Sequence, residues 1–292
     1  MQQFVNVTLT GLISGSVYAA FALALVLIWR STRIVNFAQG SMAAATSFIA
    51  LALIQAGQSY WVALGVSLAA GFLLGAVVER VVIRPVENGP ELNAVIVTLG
   101  LFIAIQALIA MVFGSSFESF PSPFGLRGFT VGGTTIAVTP NSVYVLVAVL
   151  LTMLGLVALF RFTRVGLAMR ASAFGQEVAR LLGVRVGRML TLGWGLAAVV
   201  GSLSGLLIAG GGLVWPAYMD ALIVFGFVAA VLGGLDSPVG AVVGGLSMGL
   251  ALAYVSAYVD PALVNLAALV ILMVVLLVKP GGLFASSTAR RA

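Results

Sequence analysis

An all-α, polytopic transmembrane bundle of about nine spans (eight to ten) is the fold class this sequence predicts, and three observations predict it. Hydrophobic residues fill 62% of the 292 positions and charged residues only 8%, where a water-soluble domain carries roughly 25% charge. The mean hydropathy is +1.20. Apolar runs of spanning length, roughly 20 residues each, recur along the chain, and the basic residues gather in the intervals between them. A chain so poor in charge cannot cover a water-facing surface with polar groups, so an integral membrane protein is expected. The 35 glycines agree, because helices that meet inside lipid favour small residues at their contacts.

Long apolar runs fall at about 4–29, 35–56, 61–83, 93–113, 141–160, 189–213, 239–258 and 262–278, with a shorter one at 221–235. The first charge, Arg30, follows the first run, whereas a signal peptide puts its basic region ahead of the apolar one. The first span is therefore expected to be retained, with the N-terminus outside. Whether 221–235 crosses can be argued by parity. Counting it gives nine spans, a cytoplasmic C-terminus, and only Arg127 of the 14 Lys and Arg residues outside, which is the positive-inside distribution. The chain is then one transmembrane domain, 1–292, with an external loop at 114–140 and a cytoplasmic loop at 161–188. Four spans precede the fifth and four follow the basic loop, with opposite starting directions, an arrangement expected of an inverted repeat. In the external loop, residues 129–138 read as a small hairpin turning at Gly132-Gly133.

Composition excludes much chemistry. Cysteine and histidine are both absent, which removes disulfides, Cys/His metal sites, thiolate nucleophiles and histidine acid–base catalysis. No cofactor or metal is expected. The net charge of +6 lies between spans, so it reports membrane topology and a lipid environment rather than nucleic acid. No Walker A loop occurs, and the one lysine, Lys279, follows no such pattern, so ATP binding by that route is excluded.

A few polar groups stand out near span ends. Asn36 and Gln39 lie near the inner end of the second span and read either as a helix-to-helix hydrogen bond or cap, or as lining of a permeation path. Gly233-Gly234 reads either as close packing or as local unwinding beside such a path. Glu79, Arg80 and Arg84 are expected to snorkel and pair with one another at the inner surface. Asp236-Ser237-Pro238 is a turn and helix-start signal. Trp215 and Tyr218 read as interfacial anchors.

The basic loop 161–188 carries six arginines and one acid, Glu177. Within it, residues 176–182 predict a short helix with Val178, Leu181 and Leu182 on one apolar face and Glu177 and Arg180 elsewhere, which by itself reads as an amphipathic helix lying flat at the membrane surface. Glu177 suits the first turn, and Gly183 is placed to stop the helix.

Glu177-Val178-Ala179 followed by Gly183 resembles the EAA-x-x-x-G signature of ABC-importer permeases, Val178 standing where alanine is usual. GLAMRA at 166–171 resembles the G-x-x-M-R-A run of branched-chain amino-acid permeases (the LivH/LivM type). RIVNFAQG at 33–40, Glu79-Arg80 with Arg84-Pro85, LGGLDSPVGA at 232–241 and KPGGLF at 279–284 are similar to further LivH-type stretches, in the same order along the chain. Gln39 replaces the usual histidine and Asp236 the usual glycine. The resemblance implies a channel-forming subunit of a binding-protein-dependent importer in the bacterial inner membrane, without an ATPase of its own. It also implies two ABC ATPase subunits, a second homologous permease and a periplasmic or extracytoplasmic substrate-binding protein as partners. Coupling to the ATPases is then expected at Glu177, Ala179, Arg180 and Gly183, and Asn36, Gln39, Gly233 and Gly234 are candidates for the path. Leucine, isoleucine and valine are the implied cargo; close relatives carry urea, short amides or small carboxylates. An ion-coupled secondary transporter is the alternative class, and the lack of ionisable residues at span centres speaks against it.

Overall fold

The computed structural model describes residues 2–87, 89–131 and 134–284. Their architecture is a bundle of helices: α1 (Gln2–Thr32), α2 (Gln39–Gln55), α3 (Tyr60–Val77), α4 (Glu91–Phe113), α5 (Pro140–Phe162), α6 (Arg164–Phe174), α7 (Gln176–Leu181), α8 (Val186–Ala209), α9 (Asp220–Gly233), α10 (Pro238–Tyr258) and α11 (Val264–Val278). Each apolar run of the sequence has become one helix among them. Seven reach the length and hydropathy needed to cross a membrane. The other two, α2 with 17 residues and α9 with 14, would measure only ~25 and ~21 Å at 1.5 Å per residue, against a hydrocarbon core of about 30 Å.

Capping explains several starts. Ser59, Thr139, Thr163 and Ser237 accept backbone N–H bonds at the heads of α3, α5, α6 and α10, and proline follows the cap directly in α5 and α10, where its missing donor costs nothing. The Asp236-Ser237-Pro238 signal thus starts α10 as read. Beyond α3 the backbone widens into a π turn, Val78–Ile83, with Arg84 N–H donating to the Glu79 carbonyl.

Two long helices form the centre. α1 and α8 are the most buried spans and α11 the least. α1 packs along α10, α8 and α9, while α8 packs along α3, α1 and α2. Exchanging α1 with α8, α2 with α9, α3 with α10 and α4 with α11 reproduces the pairs α2–α3, α9–α10, α2–α4 and α9–α11 as well. Several of these contacts are made close by glycine. A Cβ at Gly249 of α10 would sit 2.2 Å from the Gly15 Cα of α1, so the backbones touch as small-residue packing in lipid allows.

Each short helix follows a central one through an irregular segment, 33–38 before α2 and 210–219 before α9. At one end of the bundle lie the N-terminus of α1, the 114–140 segment and the α8–α9 connection. Ala137 N–H donates to Asn6 Oδ1, and β1 (Glu118–Ser119) pairs antiparallel with β4 (Leu213–Val214). β2 (Thr130–Val131) and β3 (Thr134–Thr135) form the predicted hairpin; its expected turn, Gly132-Gly133, lies outside the described residues, as do Arg290 and Arg291. At the opposite end Arg33 meets Asp236, and α6 and α7 lie there too. Tyr218 is no surface anchor: it is buried, donating to Ser47 Oγ at 2.6 Å, and only Trp215 keeps partial exposure, against Phe117.

Candidate functional site

The segment between α5 and α8 folds as two short helices laid across the end of the bundle. Thr163 breaks α5 and caps α6, accepting from Gly166 N–H at 3.0 Å while donating to the Leu159 carbonyl. Gly175, in extended backbone, separates α6 from α7. α7 then ends as predicted at Gly183, whose φ of +81° is left-handed. Gly183 N–H donates to the Arg180 carbonyl at 3.0 Å and Val184 N–H to the Ala179 carbonyl at 2.9 Å, the paired bonds of a Schellman stop.

The orientation of α7 turns the predicted apolar face away from the bundle. Ala179 alone is buried on it, at 1% exposure, against Val186 and Leu190 of α8 with Ala171 and Val184 alongside. Val178, Leu181 and Leu182, the predicted apolar face, are 58%, 88% and 74% exposed, and the neighbouring Phe174 is 96% exposed. Glu177 and Arg180 are exposed as well, with Arg180 donating to Gln176 one turn back. The helix therefore grips the bundle through one methyl group and turns its large apolar side chains away. Sequence periodicity finds such a stripe but not its direction, since it is equally consistent with a core and with a partner.

Beneath α7 the first turn of α8 is tied to the end of α3. The Glu79 carboxylate, fully buried, accepts from Arg84 Nε at 3.0 Å and Nη2 at 2.9 Å, and from Thr191 Oγ1 at 2.7 Å. Arg84 also donates to the Gly187 carbonyl at 2.8 Å. The predicted pairing thus joins Glu79 to Arg84 and leaves Arg80 exposed outside it, and Glu79 does not snorkel. Thr191 is the partner the sequence reading missed; a hydroxyl near the head of an apolar run was its one signal. Glu87, in the turn after Arg84, feels both Arg84 and Arg180, yet burial, aided by Glu79, pushes its carboxyl above the usual range.

Asn36 and Gln39 are brought together deep in the bundle. Asn36 Nδ2 donates to Gln39 Oε1 at 3.0 Å, Asn36 Oδ1 accepts from Ala38 N–H, and Gln39 Nε2 donates to the Ala197 carbonyl of α8 at 2.9 Å. These bonds satisfy polar groups that lipid would penalise and let α2 start away from the bundle end. Gly233 and Gly234 stand apart from that pair, at the end of α9: a Cβ on Gly233 would fall 2.0 Å from the Gly240 carbonyl, and Gly234 has φ +102°. Residues 283–284 add two hydrogen bonds to this turn, at Leu232 and Gly233.

A multi-pass helical membrane protein whose centre is made of two exchangeable sets of helices, with a short helix offered at one end, has the form of a transport subunit. Residues 7–278 match the family model for the permease component of branched-chain amino acid transport systems. The high-affinity branched-chain amino acid transport system permease protein LivH of Escherichia coli is 31% identical over 296 residues, covering 97% of this chain and 94% of that one. BraD, the corresponding permease of Pseudomonas aeruginosa, is 29% identical over 97% of this chain and 95% of its own length. A probable LivH of Methanocaldococcus jannaschii is 26% identical over 93% and 90%. Among solved structures, PsaBC from Streptococcus pneumoniae in complex with Fab aligns with 96% of this chain at 14% identity and a TM-score of 0.46, too distant a likeness to carry an assignment. The chain belongs to the branched-chain amino acid transport system permease family.

Proposed function

We propose that this chain is the permease subunit of an ATP-driven ABC importer that carries leucine, isoleucine and valine across the inner membrane. Separate ATPase subunits dock on α7, a second related permease completes the channel, and an extracytoplasmic binding protein delivers the cargo. The carrying observation is the exposed apolar surface of α7 with Phe174, at the end of the bundle opposite the 114–140 segment. A soluble-side surface of this kind calls for a protein partner, and it coincides with the residues that resemble the coupling signature. Glu177 and Arg180 flank that surface, Ala179 anchors the helix, and Gly183 sets its stop.

In this reading the irregular segments 33–38 and 210–219 complete the crossings of the short helices α2 and α9, and the resulting nine crossings, with the N-terminus outside, place α6 and α7 in the cytoplasm and the whole of 1–292 in one transmembrane domain. The exchange of α1–α4 with α8–α11 supports an inverted repeat, a common plan for alternating access. The path runs past the short helices α2 and α9, where Asn36 and Gln39 end an irregular segment at depth. Gly233 and Gly234 reach it only where the tight turn against Gly240 opens. The scarcity of charge along the centre, where the Asp220 carboxylate at the head of α9 is held by Gln106 of α4 at 2.7 Å, fits a cargo with no net charge and apolar side chains.

The test is uptake of labelled leucine in vesicles holding the complete complex. Glu177→Lys and Gly183→Trp are expected to leave membrane insertion intact while abolishing ATP-dependent uptake and ATPase co-purification. Normal uptake in both would refute the coupling assignment. Ion-gradient-driven uptake in vesicles lacking the ATPases would instead establish a secondary transporter. Direct binding measurements on the partner binding protein settle the cargo, and urea or a short amide in place of leucine would replace it.

A further inference from the structure

A second feature of the bundle is not used by the transport reading. Between α1, α5, α6, α8 and α10 lies a cleft of about 260 Å³, near the lower end of the ~300–1,000 Å³ usual for ligand sites. Its walls are apolar, with Leu27, Phe160 and Met189 among them, and Arg30, Arg161 and Arg170 stand in its lining. Among the described residues only Arg33–Asp236 and Arg84–Glu79 form ion pairs. The three cleft arginines therefore have no carboxylate within contact distance, and none of their guanidinium groups enters a hydrogen bond with the described protein. Asp236, the acid that acts on Arg30, is held by Arg33, while Arg33 and Arg170 both repel Arg30. The two hydroxyls in the lining, Ser31 and Ser172, donate within their own helices.

Guanidinium groups are obligate cations and donors, and lining one cleft with three of them, none paired with a carboxylate, leaves an excess of positive charge beside an apolar slot. An anion with a hydrocarbon tail answers both features. We propose that this cleft holds one anionic phospholipid, its phosphodiester between Arg30, Arg161 and Arg170 and part of an acyl chain along Leu27, Phe160 and Met189. Bilayers supply such lipids at the basic ends of spans, where each arginine adds attraction. The site sits on the lateral surface formed by α5, whose Val157 lines the cleft and is half exposed, so a lipid can enter from the bilayer. It does not depend on which cargo the permease carries.

Native mass spectrometry of the purified full chain, released from micelles loaded equally with phosphatidylglycerol and phosphatidylcholine, tests this. One retained phosphatidylglycerol per chain is expected, preferred over phosphatidylcholine by at least about tenfold. Arg30→Gln with Arg161→Gln should bring the two lipids to parity, and Arg127→Gln at the other end should change nothing. Val157→Trp, made at a half-exposed position, should fill the slot and reduce retention while every arginine remains. Equal retention by the unmodified chain, or an unchanged preference in both cleft variants, would overturn the site. Displacement by inorganic phosphate alone would overturn the lipid in favour of a bare anion. Loss of the bound lipid when the second permease co-purifies would show that protein covers the cleft and would overturn it equally.

Discussion

Arg84 holds together parts of the chain more than 100 residues apart: a buried carboxylate on one side, and the carbonyl and hydroxyl that open α8 on the other. Removing it as Arg84→Ala would strand Glu79, whose side chain is wholly buried, and breaking such a pair costs about 3 kcal/mol. A clear fall in the thermal midpoint of the detergent-solubilised protein is the expected result, whereas Arg80→Ala, next to the same carboxylate in sequence but exposed, should leave the midpoint unchanged. The opposite charges of Glu79 and Arg84 were legible as a pair. Their depth was not, because a spacing of five brings two side chains together only where the backbone widens into a π turn, and no 3.6-residue periodicity encodes that. For Asn36 and Gln39 the helix-to-helix hydrogen bond was legible from polarity alone, but that Gln39 makes it to Ala197 depends on which helix lies opposite, and neither side chain caps α2.

At the scale of the element, α7 makes opposite demands on neighbouring residues. Ala179 is enclosed by α8, so Ala179→Leu overpacks that contact and should cost about 1–3 kcal/mol of stability, read as a lower thermal midpoint. Leu181 is 88% exposed, so Leu181→Glu should leave the midpoint alone and reduce ATPase co-purification by about tenfold or more, as truncating a central interface residue does. The helix and its stop were readable because Gly183 must take a left-handed φ. The direction of its apolar face was not, because a stripe of apolar residues carries no sign of whether it faces the bundle or away from it, and here it faces away. The same reasoning explains α2. Its apolar run begins at 35, yet the helix starts at Gln39, since the polar bonds of Asn36 satisfy an irregular backbone there.

For the whole molecule, composition and the spacing of apolar runs were enough to foresee a helical membrane bundle, and every run became a helix. What they could not convey is that α1 and α8 are central and α11 peripheral, because a span hydrophobic all round carries no directional signal. Glycine supplies that information only after the fact: Gly15 and Gly249 meet backbone to backbone, and Gly249→Leu should push α1 from α10, destabilising the bundle by about 1–3 kcal/mol and lowering its thermal midpoint. The central claim, that α7 is where the ATPases take hold, can be tested directly because the chain has no cysteine. A photoactivatable crosslinker on Leu182→Cys, in vesicles containing the assembled complex, should capture the ATPase subunit, while the same probe on Arg127→Cys captures none of it. Efficient ATP-driven uptake with no ATPase capture from position 182, or equal capture from both positions, would contradict it.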